Sequence, residues 1–127
     1  MNKNEKIAFI EKYIRSYNAF DVDTLLLLIH PEIDFKNISG GEVNATAFGM
    51  DEFRCLVEQS KELFSNRKQT ITEFKIQKGQ VFIEVDYEAV LVADLPNGMK
   101  AGEILRLKGR SEFTFRDGKI YKLTDIS

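Results

Sequence analysis

The chain of 127 residues is 43% hydrophobic and 30% charged, a balance that supports one compact domain, residues 1–127, and excludes long disordered segments. The net charge is −2, and the cations are interleaved with acids, as in NEKIAFIEK and EILRLKGRSE. This argues against nucleic acid as a partner, because phosphate backbones are gripped by clustered Lys and Arg. The single cysteine, Cys55, excludes an internal disulfide and a cysteine-rich metal centre, and no apolar run reaches the roughly 18–20 residues of a membrane span. The opening MNKNEK lacks the apolar core of a signal peptide, so a cytoplasmic protein without membrane attachment is expected.

Residues 4–18 place Ile7, Ile10, Tyr13, Ile14 and Tyr17 on one arc at helical spacing, which predicts an amphipathic helix with two phenols on its buried side. Asp21 is read as the N-cap of a second short helix, with Phe20 and Leu25 as a hydrophobic staple across it. The run LLLLI is apolar all round and predicts burial on most sides; His30-Pro31 is expected to end that helix. A strand over Ile33 to Ile38 follows, then SGGEVNATAFG, which reads as a glycine-bearing loop. A third helix sets Phe53, Leu56, Val57, Ser60, Leu63 and Phe64 at three- and four-residue spacing. From Thr70 onward the period becomes two, and the chain reads as strands.

Side chains alone set the register of the central hairpin. VFIEVDYEA alternates Val81, Ile83, Val85 and Tyr87 with Glu84, Asp86 and Glu88; EILRLKGRSEFTF alternates Leu105, Leu107, Gly109, Ser111 and Phe113 with Arg106, Lys108 and Arg110. Centring the loop on Asn97 pairs Asp94 with Lys100, Glu88 with Arg106, Asp86 with Lys108 and Glu84 with Arg110, all opposite in sign. Lys78-Gly79 reads as a two-residue turn that brings Ile76 to Val81. The turn at Asp117-Gly118 leaves two registers open. A two-residue loop points Ile120 and Thr124 inward, whereas a three-residue loop with a bulge at Gly118 points Tyr121, Leu123 and Asp125 inward. Helices followed by a sheet with one apolar face give an α+β layout, in which a curved antiparallel sheet forms a cone around the N-terminal helices and keeps a cavity between them.

The stretch YIRSYNAFDVDTLLLLIHPEIDFKN resembles the opening of nuclear-transport-factor-2-like (cystatin-like) domains. GMDEFR and LKGRSEFTFRDGKI resemble the third-helix start and penultimate strand-turn of the SnoaL-like, ketosteroid-isomerase-like branch. Loops like NISGGEVN occur in small bacterial proteins of that branch. The resemblance covers nearly the whole chain and implies a homodimer that uses neither cofactor nor metal. In the ketosteroid isomerases of this superfamily a carboxylate base works with a tyrosine and a protonated aspartic acid. Carried over, the tyrosine falls on Tyr13, the base on Asn37 and the protonated acid on Ser111. An amide has no useful basicity, so isomerase activity is not expected. SnoaL-like cyclases also carry an acid near the end of the last strand, a few residues further along than Asp125.

Asn37 shares parity with Ile33 and Phe35 and is expected to face inward, with Asp34 toward solvent. The expected pocket is lined by Tyr13, Tyr17, Phe35, Asn37, Phe53, Ser111, Phe113 and Leu123, with Asp125 near its floor or mouth. Its expected occupant is a small apolar molecule. The alternative is a cyclase- or isomerase-type enzyme with Asp125 as acid or base, its pKa raised by burial. His30, the only histidine, reads as an exposed or capping imidazole, and Cys55 as a packing residue.

Overall fold

The computed structural model describes residues 1–127. Helix α1 (Lys3–Asn18) starts at a capping box in which the Asn2 and Glu5 side chains each accept the other residue's backbone N–H. Its Ile10, Tyr13 and Ile14 are buried, as the helical arc predicts. Asp21 caps helix α2 (Val22–Leu27) by accepting the backbone N–H of Thr24. This helix is shorter and more open than LLLLI suggests. Leu25, Leu26 and Leu28 are buried, but Leu27 is 70% exposed.

The helix stops before His30-Pro31, and strand β1 (Ile29–Ser39) already includes both residues. Proline has no N–H for a sheet ladder, and the pairing of β1 with its neighbour is irregular between Ile29 and Asp34.

The expected glycine-bearing loop is in fact a hairpin. Gly40 and Gly41, at φ 60° and 82°, make a two-residue turn, and strand β2 (Glu42–Phe48) runs back along β1. Helix α3 (Met50–Lys61) ends before Leu63 and Phe64; Phe64 opens strand β3 (Phe64–Gln77), six residues ahead of Thr70. Strands β4 (Gln80–Leu91), β5 (Ile104–Arg116) and β6 (Lys119–Ile126) complete the sheet.

The strands are ordered β2-β1-β6-β5-β4-β3, antiparallel except for the parallel pairing of β1 with β6. Ile76 lies opposite Val81 across the Lys78-Gly79 turn. Glu88, Asp86 and Glu84 lie opposite Arg106, Lys108 and Arg110. Three of the expected ion pairs form, Lys108–Asp86 at 3.1 Å and Arg106–Glu88 and Lys100–Asp94 at 3.6 Å. Arg110 turns instead toward Glu112, and Glu84 meets Glu73, whose hydrogen bond and charge raise its pKa.

The last hairpin combines features of both registers left open by the sequence. Asp117 and Gly118, at φ 54° and 73°, form a two-residue turn that points Ile120 into the core. An extra residue at Tyr121 then shifts the register, so that Leu123 and Asp125 also face inward. The bulge sits three residues beyond Gly118, where it resets the alternation without altering the turn.

Candidate functional site

Between the helices and the concave face of the sheet lies a cleft of about 600 Å³. Tyr13 and Tyr17 from α1, Phe53, Leu56, Val57 and Ser60 from α3, and Phe35 and Asn37 from β1 line it. The far strands contribute Arg67, Gln69, Val85, Tyr87, Ser111 and Asp125. Phe113 and Leu123 do not reach it. Both are 0% exposed, opposite one another in register, and Phe113 packs edge-on against Tyr13 with ring centroids 5.7 Å apart. They support the floor from beneath. Asp34, on the other parity of β1, does not line the cleft.

Asn37, Asp125 and Ser111 stand abreast on β1, β6 and β5. The Ser111 hydroxyl donates to Asp125 Oδ1 at 2.6 Å, while Asn37 Nδ2 turns away to donate to Asn44 Oδ1 at 2.7 Å. Burial pushes the Asp125 carboxyl up from 3.8 to about 6, against a smaller lowering by the Ser111 hydrogen bond. Asp125 makes no hydrogen bond to a phenol.

Burial raises the pKa of Tyr13 well above that of an ordinary phenol, with further contributions from Asp125 and Tyr17. Tyr17 and Tyr87 share a hydroxyl–hydroxyl hydrogen bond of 2.9 Å, and burial raises both. Tyr13 Oη has no partner within the protein, yet no side-chain oxygen or nitrogen is both sealed and unpartnered. The Tyr13 hydroxyl therefore opens on the cleft it lines.

Arg67 was not among the residues singled out from the sequence. It sits on β3 within SNRKQT, which reads as a polar junction between helix and strands. The available signal was the alternation Arg67, Gln69, Ile71, which becomes visible once the strand is carried back past Thr70. Arg67 Nε donates to the Tyr17 carbonyl at 2.9 Å and Nη1 to Ser60 Oγ at 3.3 Å. Asn18 and Gln69 reinforce this junction through a side-chain amide bonded to backbone in both directions.

His30 and Cys55 lie away from the cleft. His30 is buried, its Nδ1 accepts the Glu32 N–H at 2.9 Å, and Nε2 donates to Asp117 at 3.1 Å, so it is a structural histidine and not an exposed one. Cys55 is exposed on α3, contrary to the expected packing role, because the buried line of that helix passes through Phe53. No cluster of three or more His, Cys, Asp or Glu side chains is placed to hold a metal ion. No helix is long and apolar enough to cross a membrane.

A curved six-stranded sheet packed on N-terminal helices places the chain in the nuclear-transport-factor-2-like class of α+β domains. The SnoaL-like domain family matches residues 10–123, and the chain belongs to that family. Among solved structures it is similar to a candidate SnoaL-like polyketide cyclase from Jannaschia sp. CCS1, at 10% identity and TM-score 0.80, over 96% of this chain and 84% of that one. It is also similar to an LEH-like epoxide hydrolase from M. tuberculosis, at 15% identity and TM-score 0.76, over 97% and 82%. A third is a ketosteroid isomerase-like-fold protein from Catenulispora acidiphila in complex with trimethylamine, at 14% identity and TM-score 0.74, over 92% and 82%. At such identities the likeness is one of fold. No curated protein matches the chain.

Proposed function

We propose that the cleft binds one small, largely apolar molecule and does not catalyse ketosteroid isomerisation. The observation that carries this reading is the Tyr13 hydroxyl, a donor without a protein partner that opens on a mostly apolar concavity. Small-molecule sites combine apolar walls with a few convergent polar groups in this way. The family resemblance implies that Asn37 and Ser111 stand where isomerases of this superfamily carry carboxyl groups, and neither can abstract a proton from carbon. Native mass spectrometry of the purified protein tests the reading. The expected spectrum shows a homodimer with one small molecule per subunit, released by organic solvent. A ligand-free spectrum, together with failure to bind an apolar fluorescent dye, would remove the basis for it.

A second reading has its own supporting observation, the Asp125 carboxyl at about 6, one strand from Asn37 and bonded to Ser111. A base poised near neutral pH suits proton abstraction beside a carbonyl, with the Tyr13 hydroxyl donating to the developing enolate oxygen. In that reaction the C–H proton passes to Asp125 and the bonding pair moves into the enolate. Deuterium exchange into an apolar ketone, lost in Asp125→Asn, would favour this reading over binding alone.

A further inference from the structure

Arg67 is 2% exposed and appears in none of the protein's ion pairs. Its guanidinium lies 3.7 Å from the centroid of the Tyr17 ring and 4.3 Å from that of Phe20. Stacking on aromatic faces stabilises a desolvated cation in part. Its two hydrogen bonds, to a backbone carbonyl and a serine hydroxyl, go to neutral acceptors.

A guanidinium has five N–H donors, and three of these make no bond within the protein. Nη2 is among the unpartnered atoms and is not sealed, so it reaches open space, and the space beside Arg67 is the cleft. Asp125, the carboxylate of the cleft with a raised pKa, forms no ion pair with Arg67. The charge is instead felt by Tyr13, Tyr17 and Tyr87, where Arg67 opposes the upward shift caused by burial.

Leaving a cation buried without a counter-charge is costly, and the fold does so beside an apolar cleft. Pinning α1 and α3 to β3 explains Nε and Nη1 but not the remaining edge of the fork. That edge is complementary to an oxyanion, which a planar guanidinium binds through charge-assisted hydrogen bonds. We propose that the molecule bound in the cleft is an organic acid, its carboxylate held by the free edge of Arg67 and its apolar body lying along Val57, Phe53 and Phe35 toward Tyr13. This rests on the binding reading above and narrows the ligand to a chemical class.

The experiment uses two probes of matched shape, 2-naphthoate and 2-naphthamide, titrated into the full-length protein by calorimetry. Naphthoate is expected to bind about tenfold or more tightly than naphthamide, and its affinity to fall with added salt. In Arg67→Gln, naphthoate should drop to the level of naphthamide, and Arg67→Lys should restore part of the preference. Equal binding of the two probes to the wild-type protein would overturn the assignment while leaving an apolar binding site in place. Binding of neither would overturn both. The wild-type comparison decides the matter even if an Arg67 variant fails to fold.

Discussion

Replacing Asp125 by Asn removes a charge from a place that disfavours it. The carboxyl titrates near 6 in the folded protein against 3.8 for a free side chain. Each unit corresponds to about 1.4 kcal/mol, so relative to a free side chain the native site shifts the balance toward the protonated form by about 3 kcal/mol. The folded state thus holds this proton more tightly than the unfolded state. The resulting stabilisation is fully present below about pH 4 and is lost as pH rises through 6. Asn keeps an acceptor for the Ser111 hydroxyl, which donates to Oδ1 at 2.6 Å, and presents its amide nitrogen without a charge. Asp125→Asn should therefore match the wild type at pH 4 and exceed it at pH 7.5 by about 2–3 kcal/mol. Urea unfolding followed by circular dichroism at pH 4, 5, 6 and 7.5 measures this. Taking the difference between the two proteins cancels all other titrating groups. A difference that stays flat with pH, or an Asn variant less stable at pH 7.5, would refute the reasoning.

Phe53→Ala should cost about 3–5 kcal/mol, because Phe53 is 2% exposed and packs edge-on against Phe35 at 5.5 Å; the same change should enlarge the cleft and weaken dye binding. Asn37→Asp alone should produce no measurable isomerisation of a 5-ene-3-ketosteroid, since Ser111 cannot serve as a neutral carboxylic acid donor; a detectable rate by absorbance would contradict this. Tyr17→Phe should lower stability by about 1 kcal/mol by removing the 2.9 Å bond to Tyr87, as read from urea midpoints, and an unchanged midpoint would show that the bond contributes nothing net.

The charged hairpin was legible because Glu84, Asp86 and Glu88 of β4 each meet a cation of β5, and a one-residue slip would break all three pairs. Strand β2 was not, since NATA offers few β-branched or large apolar side chains and only Ala47 of that strand is buried. The inward placement of Asp125 depended on Tyr121, an extra residue whose side chain carries no mark of a bulge. Of the site, the phenols followed from the helical arc of α1, whereas Arg67 was hidden where helix and strand periodicities meet. A cation there reads as solvated until its neighbours in space are known. Phe113 and Leu123 were assigned the correct face, but parity cannot tell a side chain at the cleft surface from one buried beneath it.

The position of β6 between β1 and β5 has a consequence for the order of assembly. The segment from α1 to β2 and the meander from β3 to β5 share no strand pairing until residues 119–126 dock between them. Every contact that joins the two parts of the sheet is therefore distant in sequence, which favours slow closure. Before that step the inner faces of β1 and β5 lie open, and Arg67 and Tyr13 have no common space to face. The two parts, made as separate polypeptides split in the turn after α3, should associate only when the second carries β6. A ligand that spans the cleft would then act as a folding template, stabilising the reassembled protein by tethering its two halves.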